Sequence, residues 1–121
     1  MTPAKRRKPL RSRPAIVGAA MFSAVAWAEI SRSLGLSPRE MEIAHGVFDN
    51  LTEGAIAANL HLSEHTVHAH LNRLFRKLRA TTRVQMVLRI TSELLILTLS
   101  NDSQLPPICR NRANGRCRLI L

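Results

Sequence analysis

Apolar residues recur at steps of three and four along much of this chain, which is the spacing of one face of an α-helix. The pattern begins in residues 15–35 and predicts one helix from Ala15 to Leu34. Its expected buried face consists of Ile16, Ala19, Ala20, Ser23, Ala24, Trp27, Ile30 and Leu34. Gly35 follows directly and is expected to end the helix, because glycine adopts the left-handed conformation without steric cost.

Two further helices begin with N-terminal signals. In Ser37-Pro38-Arg39-Glu40, a serine cap precedes a proline at the first helical position and a glutamate that can bond back to the cap amide. This capping box predicts a helix from Pro38 to about Phe48. Thr52 can cap a short helix that continues through Leu60.

The next two helices follow the same rules. His61 and Leu62 form a turn, and Ser63 can cap a helix from Glu64 to about Leu78. The segment 82–85 repeats the capping-box pattern with a glutamine in the return position, and it predicts a last helix from Arg83 to about Thr98. Because no alternating strand pattern occurs anywhere in the chain, the predicted fold class is all-α.

The helix that begins at Glu64 has two distinct faces. Its expected core face consists of Val67, Leu71, Leu74, Phe75 and Leu78. Its opposite face carries His65, His68, Ala69, Asn72, Arg73 and Arg76. The opposite face has no acidic residue apart from Glu64 at the entry. Such a face suits a DNA major groove, where side chains near the helix start reach base edges and later arginines meet phosphates.

The charge of the chain points to a polyanionic partner. Basic residues outnumber acidic ones by 18 to 8 among 121 residues, which gives a formal net charge of +10. Nucleic acid or an anionic membrane surface would be attracted by this charge. Six basic residues precede Pro14, four follow Cys109, and a third group lies between Arg73 and Arg89.

The length of the chain allows one domain with terminal extensions. We expect a disordered basic tail over residues 1–14, an N-terminal helix over 15–35, a DNA-binding domain over 36–99 and a basic C-terminal tail over 100–121. The two cysteines, Cys109 and Cys117, fall in the last segment. The sequence is compatible with a disulfide between them and with two free thiols.

The segment from Leu36 to about Val87 resembles the LuxR-type, FixJ-like DNA-binding domain of bacterial response regulators and quorum-sensing regulators. The resemblance rests on ordered matches at family spacing. They are Leu36-Ser37-Pro38-Arg39-Glu40, Leu51-Thr52, Ile56-Ala57, Leu60, Leu62-Ser63-Glu64, Thr66-Val67, His70, Arg76-Lys77-Leu78, Arg83 and Gln85. The resemblance implies a four-helix domain whose third helix, here the one from Glu64, enters the major groove. The fourth helix of the family commonly forms a dimer on two-fold symmetric sites.

The resemblance also suggests roles for individual residues. The base-contact residues that we expect are His65, His68, Ala69 and Asn72. The expected phosphate contacts are Ser63, Thr66, Arg73, Arg76 and Lys77. The last helix offers candidates for both core and dimer contact, and the expected dimerisation residues are Met86, Ile90, Leu94 and Leu97.

Several positions depart from the family pattern. His68 replaces a lysine that the family often uses against bases, and a neutral imidazole offers one donor where lysine offers three. Asn50 and Arg79 replace two turn glycines, and arginine fits a positive φ less easily than asparagine. Ala55 replaces an acidic residue.

Other chemistries find little support in the sequence. The histidines at 61, 65, 68 and 70 lie close together, but a helix start separates the first from the others, and His68 and His70 point in different directions. No metal site and no cofactor are therefore expected. The chain has no phosphate-binding glycine loop and no nucleophile beside a base, so we predict neither an enzyme nor a small-molecule substrate.

The segment from Ala15 to Ala28 is similar to a signal peptide, because it is apolar, follows basic residues and ends in Ala-Trp-Ala. It is too short to span a bilayer and continues in helical period, so we expect a helix that packs in the core and no membrane role.

The prediction is a dimeric, sequence-specific transcriptional regulator of the bacterial cytoplasm, associated with the nucleoid. Double-stranded DNA is its expected partner, and RNA polymerase is a further candidate. A sigma-factor-like promoter-recognition module and a basic membrane-surface protein are the two alternatives.

Overall fold

Helices account for most of the chain that the computed structural model describes, which is residues 18–99. The elements are a 3-10 helix over Gly18–Met21, α1 over Ala24–Leu34, α2 over Pro38–Phe48, α3 over Glu53–Leu60, α4 over Glu64–Leu78 and α5 over Arg83–Leu99. Residues 18–99 contain no strand, and the all-α prediction is confirmed. The predictions for Ile16, Cys109, Cys117 and both tails fall outside the described residues.

The predicted caps form as hydrogen bonds. The Ser37 hydroxyl accepts from the Glu40 amide at 3.1 Å, and Glu40 Oε1 accepts from the Ser37 amide at 2.9 Å. Thr82 Oγ1 accepts from the Gln85 amide at 3.1 Å in the same way. Gln85 Oε1, however, accepts from the Thr81 amide at 2.8 Å. The capping box predicts that the Gln85 side chain accepts from the amide of Thr82, but it accepts from the amide of Thr81, one residue earlier.

The single N-terminal helix predicted from Ala15 to Leu34 is wrong at its start. The structure has a 3-10 helix that ends at Met21 and a new α-helix that begins after Ser23. Ser23 is extended, and its hydroxyl accepts from the Ala26 amide at 3.1 Å. A serine hydroxyl competes for backbone donors and so favours a cap over a helix interior. Ser23 is exposed and does not belong to the buried face, and the same holds for Ala20 and Ala24 of the predicted face.

An aromatic cluster fixes the N-terminal segment against α2. The Trp27 ring lies 5.0 Å from that of Phe48 and 4.4 Å from that of His45, while Phe22 lies 5.4 Å from Phe48. Trp27 Nε1 also donates to the Ala19 carbonyl at 2.8 Å, so the indole has its polar partner. Burial lowers the pKa of His45, although Asp49 and Glu42 partly oppose this effect. The half-buried His45 ring therefore favours its neutral form at the edge of the core.

Helix α1 packs on α5, and a polar contact joins the two helices. The Ser33 hydroxyl on α1 donates to the Glu93 carboxylate on α5, and Arg89 Nη1 donates to the same carboxylate at 2.9 Å. Burial raises the pKa of Glu93, but these two donors outweigh burial and hold it below its ordinary value. Glu93 is therefore a charged link between α1 and α5.

Four helices end with the same backbone arrangement. In each case an amide two or three residues beyond the helix bonds back five residues, as Leu51 does to Gly46 at 3.0 Å and Ala80 does to Phe75 at 2.9 Å. The residue before that amide is left-handed, with φ of 68° at Gly35, 59° at Asn50, 57° at His61 and 55° at Arg79. Asn50 and Arg79 thus keep the conformation that glycine would adopt more easily.

Gly46→Ala tests the close approach of α2 and α3. A Cβ at this position would lie 2.6 Å from Ile56 Cγ1, and Ile56 is fully buried. We expect the free energy of unfolding to fall by about 1–2 kcal/mol, since overpacking outweighs the better helix propensity of alanine. Urea denaturation measures this change.

Gly54→Ala is the matched control in the first turn of α3. Its Cβ would lie 3.4 Å from the nearest atom, the Glu64 carboxyl carbon, which is an ordinary contact. The free energy of unfolding should stay the same or rise by up to about 1 kcal/mol. Equal losses in both variants would contradict the close-approach explanation.

Candidate nucleic-acid interface

The segment from α3 to α4 is a helix, a tight turn and a second helix. His61 takes the left-handed conformation, the Leu62 amide bonds to the Ala57 carbonyl at 2.9 Å, and the Ser63 hydroxyl caps α4 at the Thr66 amide. Ile56 and Ala57 are the buried residues of α3. They pack with α4 and fix the angle between the two helices.

The two faces predicted for α4 are present in the structure. The buried residues of α4 are Val67, Leu71, Leu74 and Leu78, with Phe75 packed beside them. The exposed residues on the other side are His65, His68, Ala69, Asn72, Arg73 and Arg76. The four predicted base-contact residues are thus together on one open surface, which we call the reading face. Their contact with bases stays a prediction.

The predicted phosphate contacts fall into two groups. Arg73 and Arg76 are exposed, and neither forms an ion pair within residues 18–99. Ser63 and Thr66 lie at the start of α4, where the Ser63 hydroxyl also donates to Thr66 Oγ1 at 2.9 Å. Lys77 differs from these four because its ammonium has partners within the protein.

Lys77 forms a half-buried link from α4 to the start of α2. Its Nζ donates to Glu40 Oε1 at 2.7 Å and to the Gly35 carbonyl at 2.8 Å. The Glu40 side chain is only 5% exposed, so its charge needs this partner. Burial raises the pKa of Glu40, but the Lys77 ammonium and the Ser37 amide outweigh burial and hold it below its ordinary value.

Arg83 fixes the turn between α2 and α3. Its Nη1 donates to the Leu51 carbonyl, which lies just before the Thr52 cap of α3. Arg83 and Leu51 are both residues on which the family resemblance rests. The structure gives this pair a scaffold function, since it holds α5 and the beginning of α3 together.

Sequence reasoning missed Glu53, which lies in the first turn of α3. His68 Nδ1 on the reading face lies 3.1 Å from Glu53 Oε1 and 3.3 Å from Oε2. The two residues are fifteen positions apart, so helical periodicity holds no signal for this contact. Glu53 therefore adds a carboxylate to the edge of a surface that the sequence suggested was free of acid.

The clustered histidines take separate environments. His61 is in the turn, His65 and His68 are on the reading face, and His70 is half-buried with its Nδ1 unpartnered. Within residues 18–99, no group of three or more His, Cys, Asp or Glu side chains is placed to hold a metal ion.

The predicted dimerisation residues require a correction. Met86, Ile90 and Leu94 are buried in the core of the chain itself, and Leu97 packs against that core. Met86, Ile90 and Leu94 are therefore not available to a partner, whereas Leu97 is only partly buried. The apolar side chains that α5 exposes are Val84, Leu88, Leu95 and Ile96. Of these, Val84, Leu88 and Leu95 share one side of the helix at steps of four and seven residues.

The segment that is similar to a signal peptide is only partly described, and its described part packs in the domain. Ala26, Trp27 and Ile30 form the buried side of α1. No helix within residues 18–99 is both long enough and apolar enough to cross a membrane.

A short helix, a capped turn and a second helix with an exposed cationic face define a helix-turn-helix protein. Comparison with protein families supplies the more particular result. The family model GerE, for bacterial regulatory proteins of the luxR family, matches residues 30–90. This match covers half of the chain, and the chain belongs to the LuxR family. The resemblance noted from the sequence is confirmed, and the protein is a DNA-binding transcription regulator.

The other comparisons add no relatives. Neither the search of curated proteins nor the search of solved structures gave a match. The family match begins at Ile30 within α1 and ends at Ile90 within α5.

Glu40→Gln tests the link between α2 and α4. Glutamine keeps an acceptor for the Ser37 amide but removes the charge that binds Lys77, so we expect a loss of about 1–3 kcal/mol at neutral pH. The pKa of Glu40 is lowered in the folded state, so its stabilisation is present above the ordinary value of 4.5 and is lost as the pH falls through the folded value. Denaturation at several pH values should show wild type and variant converging in acid.

Glu42→Gln is the control for this prediction. Glu42 lies on the same helix, but its side chain is 49% exposed and its contact is with Arg39 at the surface. Its loss should cost less than about 1 kcal/mol. A difference between wild type and Glu40→Gln that persists unchanged in acid would contradict the charged link.

Proposed function

We propose that the protein regulates transcription by placing α4 in the major groove of specific DNA sites as a homodimer. The observation that supports this most directly is the reading face of α4. It follows a capped turn, it is open, and it presents hydrogen-bonding and small side chains before its arginines. An α-helix fits the major groove, and its first turns lie closest to the base edges.

Base selection would depend chiefly on Asn72 and His68 in this proposal. Asparagine can bond to both N6 and N7 of adenine, which distinguishes this base from the other three. Ala69 lies between them in sequence and has a side chain short enough to let the helix approach or to contact a thymine methyl group.

Phosphate affinity would depend on Arg73 and Arg76 more than on Lys77. Both arginines are exposed without an ion-pair partner in the described part of the chain, whereas the Lys77 ammonium already bonds to Glu40 and Gly35. An ammonium has three donors, and Lys77 uses two of them within the protein. Its phosphate contact stays a prediction for the remaining donor.

The terminal segments would supply sequence-independent attraction. Ten of the 18 basic residues precede Pro14 or follow Cys109, while the segment between them has eight basic and eight acidic residues. Each cation that neutralises a phosphate releases a counterion, so such affinity decreases steeply as salt is added.

The dimer contact in this proposal is the exposed stripe of Val84, Leu88 and Leu95 on α5. These side chains lie on the opposite part of α5 from the buried Met86, Ile90 and Leu94, so a partner helix could cover them without disturbing the core. A second copy packed on this stripe would place two reading faces on a symmetric site.

Asn72→Ala and Arg76→Ala test the docking of α4. Asn72→Ala should cost about 1–3 kcal/mol at one base pair and relax the preference there. Arg76→Ala should weaken binding to all sequences and reduce the salt slope by about 1 for each subunit. Binding of the full chain to selected and random DNA at two salt concentrations measures both effects.

Arg32→Ala is the matched control for Arg76→Ala. Arg32 is an exposed arginine on α1, and its surface contact with Glu29 spans 3.4 Å. The Arg32→Ala variant should leave the base preference unchanged and should change the salt slope very little. Equal losses from Arg32→Ala and Arg76→Ala on both DNAs would overturn the docking of α4.

Leu88→Glu tests the dimer contact. Leu88 is 60% exposed, so the charge should not destabilise the fold, but it would be buried without a partner at the dimer interface. Analytical ultracentrifugation should show a shift towards monomer. Met21→Glu is the control, because Met21 is 49% exposed on another element. An unchanged dimer in Leu88→Glu would exclude this face.

A further inference from the structure

The contact between His68 and Glu53 crosses the turn between α3 and α4. It brings the start of α3 to the reading face. The His68 side chain is 57% exposed and that of Glu53 is 34% exposed, so both remain open to solvent and to a ligand. Within residues 18–99, His68 Nε2 has no hydrogen-bond partner in the structure.

The chemistry of this contact fixes the position of a proton. An ionised carboxylate only accepts hydrogen bonds, so the imidazole nitrogen that faces Glu53 must carry a hydrogen. In the neutral ring this places the hydrogen on Nδ1 and leaves Nε2 as an acceptor. In the protonated ring both nitrogens are donors, and Nε2 becomes a donor too.

The surroundings of His68 leave Glu53 as the group that selects the tautomer of the neutral ring. Glu53 is the charged residue that α3 brings into contact with the ring. On α4 itself, Glu64 lies one turn earlier, His65 lies three residues earlier, and Asn72 lies one turn later. None of these three forms a hydrogen bond or ion pair with the His68 ring, whereas both Glu53 oxygens lie within 3.3 Å of Nδ1.

We propose that Glu53 is a specificity-determining residue, because it holds the Nδ1-protonated form of His68 and so sets which kind of base His68 reads. This inference rests on the proposed entry of α4 into the major groove. Neutral His68 presents Nε2 as an acceptor and prefers an amino group, the N6 of adenine or the N4 of cytosine. Protonated His68 presents a donor and prefers guanine O6 or N7, or thymine O4, while adenine can satisfy either form through N6 or N7.

Glu53→Ala in the full chain is the central test. The variant frees the neutral ring to carry its hydrogen on Nε2, which converts the reading atom from an acceptor to a donor. Selection from random DNA, well above the pH range in which histidine titrates, should show one position changing from cytosine to guanine or thymine, while adenine, which offers both a donor and an acceptor, changes less. We expect a relative change of about tenfold at that position, with the other positions unchanged.

Two further measurements make the test specific. Wild-type protein, selected again at a pH below the titration range of histidine, should change in the same direction as Glu53→Ala. Nitrogen-15 NMR of the imidazole rings in DNA-free protein should show His68 protonated at Nδ1 in wild type and at Nε2 in Glu53→Ala at high pH.

Glu64→Ala is the matched control. It removes the same charge from the start of α4 without touching the His68 ring, so it should alter affinity without altering the preference at this position. Identical preferences in wild type and Glu53→Ala at high pH would overturn the inference while leaving DNA binding by α4 intact. Wild-type protein without any sequence preference would overturn the proposed function and this inference together.

Discussion

The buried carboxylate of Glu40 is the interaction on which the positions of the other helices depend. It closes the start of α2 through the Ser37 amide and receives the Lys77 ammonium from the end of α4. The same ammonium binds the Gly35 carbonyl at the end of α1. Three helix termini therefore meet at one charged pair. Helix α4, which carries the reading face, is fixed at its C-terminal end, opposite the end that we propose enters the major groove. A charge buried this deeply is tolerated only when its partners are in place, so this arrangement favours one orientation of α4 over others.

The residues before Leu36, where the resemblance to the family begins, are part of the same core. Trp27 and Ile30 bury the inner side of α1 against α2 and α5, and Phe22 extends the aromatic cluster across Phe48. Because the family match begins within α1, this segment supplies apolar area next to the matched region. The helix-turn-helix unit itself is small, with Ile56 and Ala57 as the buried residues of α3. Its geometry therefore depends on the packing of α2, α4 and α5 around it.

What the sequence could predict was mainly local. Caps at Ser37, Thr52 and Ser63 follow from hydrogen bonds over three residues, and the two faces of α4 follow from its period. Ser23 was misplaced because its spacing fits a helix face while its hydroxyl favours a cap. The dimerisation residues were misassigned because α5 is apolar on two sides, and periodicity does not tell which side the core covers. The contacts of Lys77 with Glu40 and of His68 with Glu53 join distant positions, so only the fold brings them together.

Trp27 has a consequence for how this protein can be observed. It is the single tryptophan of the chain, and it lies on α1 in the aromatic cluster against Phe48 and His45, buried and not on the reading face. Its fluorescence therefore reports the docking of α1 on α2 and is separated from the surface where we propose that DNA binds. Folding of the scaffold and occupation of the groove-binding helix can thus be followed by separate signals in one sample, without an added label.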